Sequence, residues 1–300
     1  MTAPDIFKVT PAYSDSAQNA KDKTAIQTDA WLSIDLVHMG HYEQAQAILL
    51  DWALHCREVY GSKKWFRLLP NESSLVMTFK GVSFLESFLL MKDMERYFIN
   101  FAAWNKEVFP PWVETVYRPC AYGEQRRGEN NRGSWGILGC VLSDMILGRD
   151  LSPWIDRVDR NHKAAFDSNG KSLIEIHRTN MGIWYFTFTL SAMLRTCQLL
   201  NHPRTDNLIK PLTWLWQYIQ DPDSWPYRPG QGLWSLFPKL ENIIHPTTST
   251  LDRPRPNDEA GALYLAAGKQ FGNQEWIDYA QPWPNDPPFP GVNEFRWVRK

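Results

Sequence analysis

The chain has no run of about eighteen apolar residues, the length a membrane-spanning helix needs, so neither a span nor a membrane partner is expected. It also lacks a basic segment leading into an apolar one at its start: Met1-Thr2-Ala3-Pro4-Asp5 shows no signal peptide. An excess of one charge is missing too. Lys and Arg total 32 against 33 Asp and Glu, for a net charge of −1. The molecule as a whole therefore does not draw polyanions, no nucleic-acid partner is expected, and an acidic ligand would need a local basic patch. Cysteine is scarce. Cys56, Cys120, Cys140 and Cys197 show no metal-ligand spacing. Cys140 and Cys197 lie in apolar helical stretches and read as buried thiols, which leaves the redox compartment open. No repeat of fixed length occurs, which argues against a solenoid.

What is present is helical periodicity and an abundance of aromatics. The 300 residues are 43% hydrophobic and 22% charged, ordinary for a globular protein, but include 15 Trp, 15 Phe and 11 Tyr. Flat aromatic faces suit sugar rings, although filling gaps between packed helices is their commoner use. Apolar residues at three- and four-residue spacing predict helices over residues 17–37, 42–59, 75–91, 94–108, 131–148, 153–165, 177–200, 206–220 and 258–271. Pro110-Pro111 reads as a helix stop. Sequential helices with short connections pair as antiparallel hairpins. The expected fold is all-α: an incomplete α/α toroid, one domain over residues 1–300. A Pro- and aromatic-rich loop region is expected at about 221–256, with Trp225, Tyr227 and Trp234, and an irregular tail at about 273–300. The length of the loop region argues for a functional role.

Two segments are dense in reactive groups: Glu129-Asn130-Asn131-Arg132-Gly133-Ser134-Trp135, and Glu175-Ile176-His177-Arg178 continuing to Trp184-Tyr185. In an α-helix, positions seven apart fall about 20° from each other and roughly 10 Å apart along the axis. On that geometry Arg178 and Tyr185 share a face and can converge on one sugar residue, whereas His177 points away. Glu175, one turn earlier, can orient the Arg178 guanidinium, or simply form a surface ion pair. Asn131 stands at a predicted helix start, where Asn commonly caps and where free N–H groups also favour a carboxylate. Arg118, Arg126, Arg127 and Arg132 supply a local basic patch, against Glu124 and Glu129. Uronate elimination needs such a set. Removing the proton on C5 places charge on the neighbouring carboxylate, which an amide and a guanidinium can stabilise. A phenol can take that proton and protonate the departing O4 when nearby positive charge lowers its pKa from about 10.

Asn130-Asn131-Arg132-Gly133-Ser134-Trp135 resembles the Asn-Asn-His-x-x-Trp motif of the alginate lyases of polysaccharide lyase family 5. Glu175-Ile176-His177-Arg178 with Tyr185 is similar to that family's Glu-x-x-Arg…Tyr segment, and Ala47-Ile48-Leu49-Leu50-Asp51-Trp52-Ala53 to its first core-helix motif. The order and approximate spacing of these blocks agree over about residues 14–220. The resemblance implies a toroid with a deep cleft, no metal or other cofactor, and an acidic polysaccharide as substrate. It implies that Asn131 and Arg178 neutralise the uronate carboxylate and that Tyr185 is the catalytic phenol. Asn130, Arg132, Trp135, Glu175, His177 and Arg127 are the expected substrate contacts. A lid loop over residues 60–67 would add Lys64 and Trp65. A periplasmic or secreted location is implied if the sequence is a mature form; a cytoplasmic one stays open.

Two departures bear on the substrate. Arg132 stands where the family has His, and a lysine expected near Tyr13-Ser14-Asp15 is absent. Arginine stays protonated and is a poor base. In β-D-mannuronate and β-D-glucuronate the C5 hydrogen and O4 lie on one side, so a single residue can serve as base and acid. Loss of the His thus favours mannuronan or a glucuronan-like polymer over guluronate. Two rivals remain in view: a toroid glycoside hydrolase acting on uronides through carboxylates such as Asp144, Asp150, Glu175, Asp258 or Glu259, and a non-catalytic glycan-binding relative.

Overall fold

A computed structural model describes residues 3–10, 15–60, 72–92, 104, 106–227 and 259–280. Outside them lie Lys64, Trp65 and most of the expected lid, Tyr13-Ser14, most of the expected helix at 94–108, most of the loop region beyond Tyr227, and the tail beyond Ala280. Contacts divide the chain into two compact units: Met1–Gly128 with Trp135–Trp154, and Glu129–Ser134 with Ile155–Lys300.

The first unit begins with a two-residue strand, β1 (Ile6–Phe7), paired in parallel with β2 (Glu58–Val59). Helix α1 (Ser16–His38) is capped by Asp15, whose carboxylate accepts the Gln18 N–H. It turns at Gly40, φ +80°, into α2 (Tyr42–His55), which packs against it. The predicted helix at 42–59 therefore ends early, and its last residues join the strand pair. Helices α3 (Glu72–Lys80) and α4 (Val82–Lys92) replace one predicted helix, parted at Gly81. The stretch from Glu72 to Lys92 is apolar enough by length and composition to cross a membrane, and 78% of its apolar window is buried in the fold. The sequence criterion of an unbroken apolar run overlooked it because Ser, Thr and Gly interrupt the run.

A helix ends at Glu107, just ahead of Pro110-Pro111 as expected, and a new one begins at the prolines. The two prolines occupy the first turn of α5 (Phe109–Trp112), where their missing N–H groups cost nothing. A π-helical turn (Val113–Tyr117) leads into α6 (Arg118–Gln125). Helix α7 (Asn131–Ile146) then lies so close to α6 that a Cβ on Gly136 would sit 2.2 Å from the Gln125 backbone N and 2.8 Å from the Ala121 carbonyl. Backbone cannot give way as a side chain does. Gly136→Ala is expected to cost about 1–3 kcal/mol or more, read as a lower midpoint in denaturant melts.

Large aromatics fill this unit's core. Trp52 and Phe84 lie 5.3 Å apart and Phe88 stacks on Phe109 at 4.7 Å. Trp52 donates to Asp29, Trp112 to the Cys56 carbonyl and Tyr117 to the Thr78 carbonyl, so each buried polar tip is satisfied. Asp144, a candidate acid of the hydrolase reading, is engaged within the fold. It is buried and accepts from Arg118 Nε at 2.9 Å and Trp154 Nε1 at 2.8 Å, with Arg149 3.5 Å away. Asp150 does cap, accepting from the Ser152 backbone N–H.

In the second unit, α8 (Ser152–Ala165) ends in the expected turn, where Gly170 has φ +87° and Asp167 accepts the Asn169 and Lys171 N–H groups. A 3-10 segment (Glu175–Met181) precedes α9 (Gly182–Leu199), so the predicted helix at 177–200 is two pieces. After a 3-10 turn (Thr205–Leu208), α10 (Ile209–Gln220) packs against α9, as does α11 (Glu259–Phe271). Gly272, φ +67°, turns the chain into α12 (Gln274–Ala280), a helix where an irregular tail was expected. Trp216 packs on Tyr264 at 4.6 Å, and the Tyr264 hydroxyl donates to the Leu212 carbonyl.

Candidate active site

The two reactive segments meet within the second unit. Asn130 caps α7: its side-chain oxygen accepts the Gly133 N–H at 3.2 Å, and its carbonyl accepts the Ser134 N–H at 3.0 Å. The capping task thus falls to Asn130 and leaves Asn131 for another. Arg157 Nη1, which donates to both Glu129 carboxylate oxygens at 2.9 and 2.8 Å, and a bond from Asn161 to the Ser134 hydroxyl fasten this first turn to α8.

Glu175 joins the segments. Its carboxylate accepts the Asn131 backbone N–H at 2.8 Å, the Asn131 amide at 3.5 Å and the Thr189 hydroxyl at 3.4 Å. Arg178 Nε lies 3.6 Å from the same group. Glu175 is only 1% exposed, so it forms no surface ion pair; Asn131 is buried as well, at 4%. Burial pushes its pKa up, opposed by the Arg178 charge and the bonds from Asn131 and Thr189. Its own N–H is held by the Ser172 hydroxyl at 3.0 Å.

Arg178 and Tyr185 do come together, though not by sharing a face of one α-helix. Arg178 sits in the 3-10 segment, which winds more tightly than an α-helix, and Tyr185 one turn into α9. The junction is Gly182, against whose bare Cα Trp225 packs; a Cβ there would lie 2.5 Å from the indole. The guanidinium then stacks on the phenol, with Cζ 4.4 Å from the ring centroid. Trp184 meets the same phenol edge-on at 4.8 Å. Tyr185 and Arg178 are half-buried, which leaves both open to a ligand, and the Thr189 hydroxyl also donates to the Tyr185 carbonyl.

Other expected contacts fare differently. Arg132 is half-buried and His177 exposed. Trp135 is 1% exposed and belongs to the core of the first unit, which rules out stacking on a sugar; the indole is spent on packing. Arg127, also in the first unit, is tied to buried Glu124 at 3.1 Å. Thr189, Ser172 and the Arg157–Glu129 pair went unread in the sequence. Only their contacts reveal them, since Thr and Ser on a helix or in a turn carry no distinguishing pattern. Among the described residues, no three His, Cys, Asp or Glu side chains gather as metal ligands.

Comparison with known proteins bears on the family and the fold. The family described as alginate lyase matches residues 74–225, the span that holds both reactive segments. A sequence search of curated proteins returned no match. Among solved structures, an alginate lyase from Bacteroides ovatus superposes with a TM-score of 0.61 at 14% identity, covering 99% of this chain and 86% of that one. Its fold is the all-α, incomplete α/α toroid expected from the helical pattern. The family match covers half the chain and includes the amide, the guanidinium and the phenol: the protein belongs to the alginate lyase family and is a polysaccharide lyase.

Proposed function

We propose that the protein cleaves a uronate-containing acidic polysaccharide, mannuronan or a glucuronan-like polymer, by β-elimination. The stacking of the Arg178 guanidinium on the Tyr185 ring, with Arg178 and Asn131 both tied to Glu175, carries this reading. Asn131 and Arg178 face the carboxylate and stabilise the charge that builds on it as the C5 proton leaves. The Tyr185 hydroxyl, as phenolate, accepts that proton. The C4–O4 bond breaks, electrons from C5 form the C4–C5 double bond, and the same phenol returns the proton to O4. Products are a new chain end on one side and a 4,5-unsaturated uronate on the other.

Arg132 cannot serve as a second base, so one residue must act on one face of the sugar. That favours polymers with the C5 hydrogen and O4 on the same side. Three of the five candidate acids of the hydrolase alternative have other duties: Asp144 is locked by Arg118 and Trp154, Asp150 caps, and Glu175 is enclosed, while Asp258 lies outside the described residues and Glu259 is half-buried. For a mature form of the chain, the family resemblance supports a periplasmic or secreted location.

Purified protein incubated with mannuronan, glucuronan and guluronan is expected to raise ultraviolet absorbance, the signature of the conjugated double bond, on the first or second and little on the third. New reducing ends without that absorbance would establish hydrolysis instead. Fast degradation of guluronan alone would remove the one-residue mechanism.

A further inference from the structure

Beside the reacting groups lies a corner of cation and aromatics that the chemistry above does not use. Lys171 Nζ stands 5.1 Å from the centre of the Tyr227 ring. Tyr227 packs against Trp225 at 5.3 Å, and Tyr218 against Trp225 at 5.0 Å. Lys171, Tyr218 and Tyr227 are all half-buried, each with part of its surface open.

Two routes tie this corner to the centre. Trp225, at the back of the aromatic group, presses on Gly182, the first residue of the helix that carries Tyr185. Lys171 is followed directly by Ser172, whose hydroxyl holds the Glu175 N–H. The lysine's own backbone is pinned as well: its N–H donates to the Asp167 carboxylate at 3.0 Å and its carbonyl accepts the Asp167 N–H at 3.0 Å. The cation is therefore presented from a fixed stem.

We propose that Lys171, Tyr218 and Tyr227 form a second subsite, which takes a flanking uronate residue of the same polysaccharide chain. The ammonium pairs with its carboxylate, and the phenol rings meet the apolar C–H face of the sugar. A polyuronate carries a carboxylate on every residue, so a chain held at Asn131 and Arg178 brings further acids to the neighbouring positions. Burial and the nearby Tyr227 phenol raise the Tyr218 pKa against the pull of Lys171, which leaves Tyr218 a neutral surface for a sugar. The proposal rests on the polyuronate reading above, and its test separates the two.

The test measures binding of oligouronates of increasing length to the Tyr185→Phe protein, which holds substrate without consuming it. The expected result is a step in affinity of about tenfold at one chain length. The step should vanish in the Tyr185→Phe/Lys171→Met protein, persist with Lys171→Arg, and be missing for oligomers whose carboxyls are reduced to alcohols. Tyr227→Phe, which keeps the ring but loses the hydroxyl, should shrink the step and leave the melting temperature within a few degrees. A Lys171→Met loss that is equal at every length, a step that survives it, or failure of any oligomer to bind would overturn the subsite. Absence of ultraviolet-absorbing product from the unmodified protein would overturn elimination while leaving a Lys171-dependent step intact.

Discussion

Tyr185→Phe is expected to lower kcat by about 10⁴-fold, at the top of the range for a general acid–base group, because the one hydroxyl serves both proton transfers. Loss of an oxygen from a half-buried ring leaves the stack with Arg178 and the edge contact with Trp184 in place. Affinity for an oligouronate should therefore change by less than about threefold. The measurement is turnover by ultraviolet absorbance beside binding by calorimetry. A variant that turns over at more than about a tenth of the normal rate would remove the phenol from the chemistry. A melt that shows the variant folded assigns the loss to chemistry and not to unfolding.

The second large effect is expected at Glu175. Glu175→Ala deletes the one acceptor shared by Asn131, Arg178 and Thr189, and a drop in kcat/KM of about 10²–10³ should follow. Glu175 acts by positioning, so the conservative change should separate from the severe one. Glu175→Gln keeps an oxygen for the Asn131 N–H but no charge for Arg178, and about a tenfold loss is expected. pH supplies the readout that a purely structural role would not move. The ionised carboxylate holds Arg178, and its pKa is pushed up by burial. Activity should therefore fall on the acid side at a pH above the ordinary carboxylate range, and the Gln variant should lose that limb. Stability runs the other way. A carboxyl with a raised folded-state pKa contributes stability that is full below its unfolded-state value and is lost as pH rises through the folded-state value. Relative to the unmodified protein, Glu175→Gln should gain melting temperature as pH rises. A constant difference across pH would mean that Glu175 does not titrate with a raised value.

Much of this site was legible in the sequence because two short segments carry unusual chemistry at spacings that only a helical fold brings together. The amide, the guanidinium, the phenol and the carboxylate between them were all identified by residue type. What the sequence misled on was geometry. Arg178 and Tyr185 were expected on one α-helical face, yet a 3-10 segment and a bare Gly182 under Trp225 create their contact. A glycine does not announce whether it marks a break, a close approach or neither. Pro110-Pro111 was read only in part: helix does end ahead of the pair, but the same prolines also begin the next one. Trp135 shows the limit of motif reading: the residue aligns with a motif, but its indole is sealed in a core. Asp144 shows the reverse, an apparently ordinary helix-end acid whose partners, Arg118 and Trp154, are distant enough in sequence to be invisible in it.

All four cysteines are buried thiols outside any disulfide. Burial pushes the Cys56 and Cys197 thiols up to about 12 and raises Cys140 as well. Thiolate is the form that attacks oxidants and forms disulfides, and these groups withhold it. The scaffold asks nothing of its surroundings: glutathione, oxygen and thiol reagents find no handle until the chain opens. Such a fold tolerates an oxidising or a reducing milieu equally, and for that reason its cysteines carry no imprint of where it works.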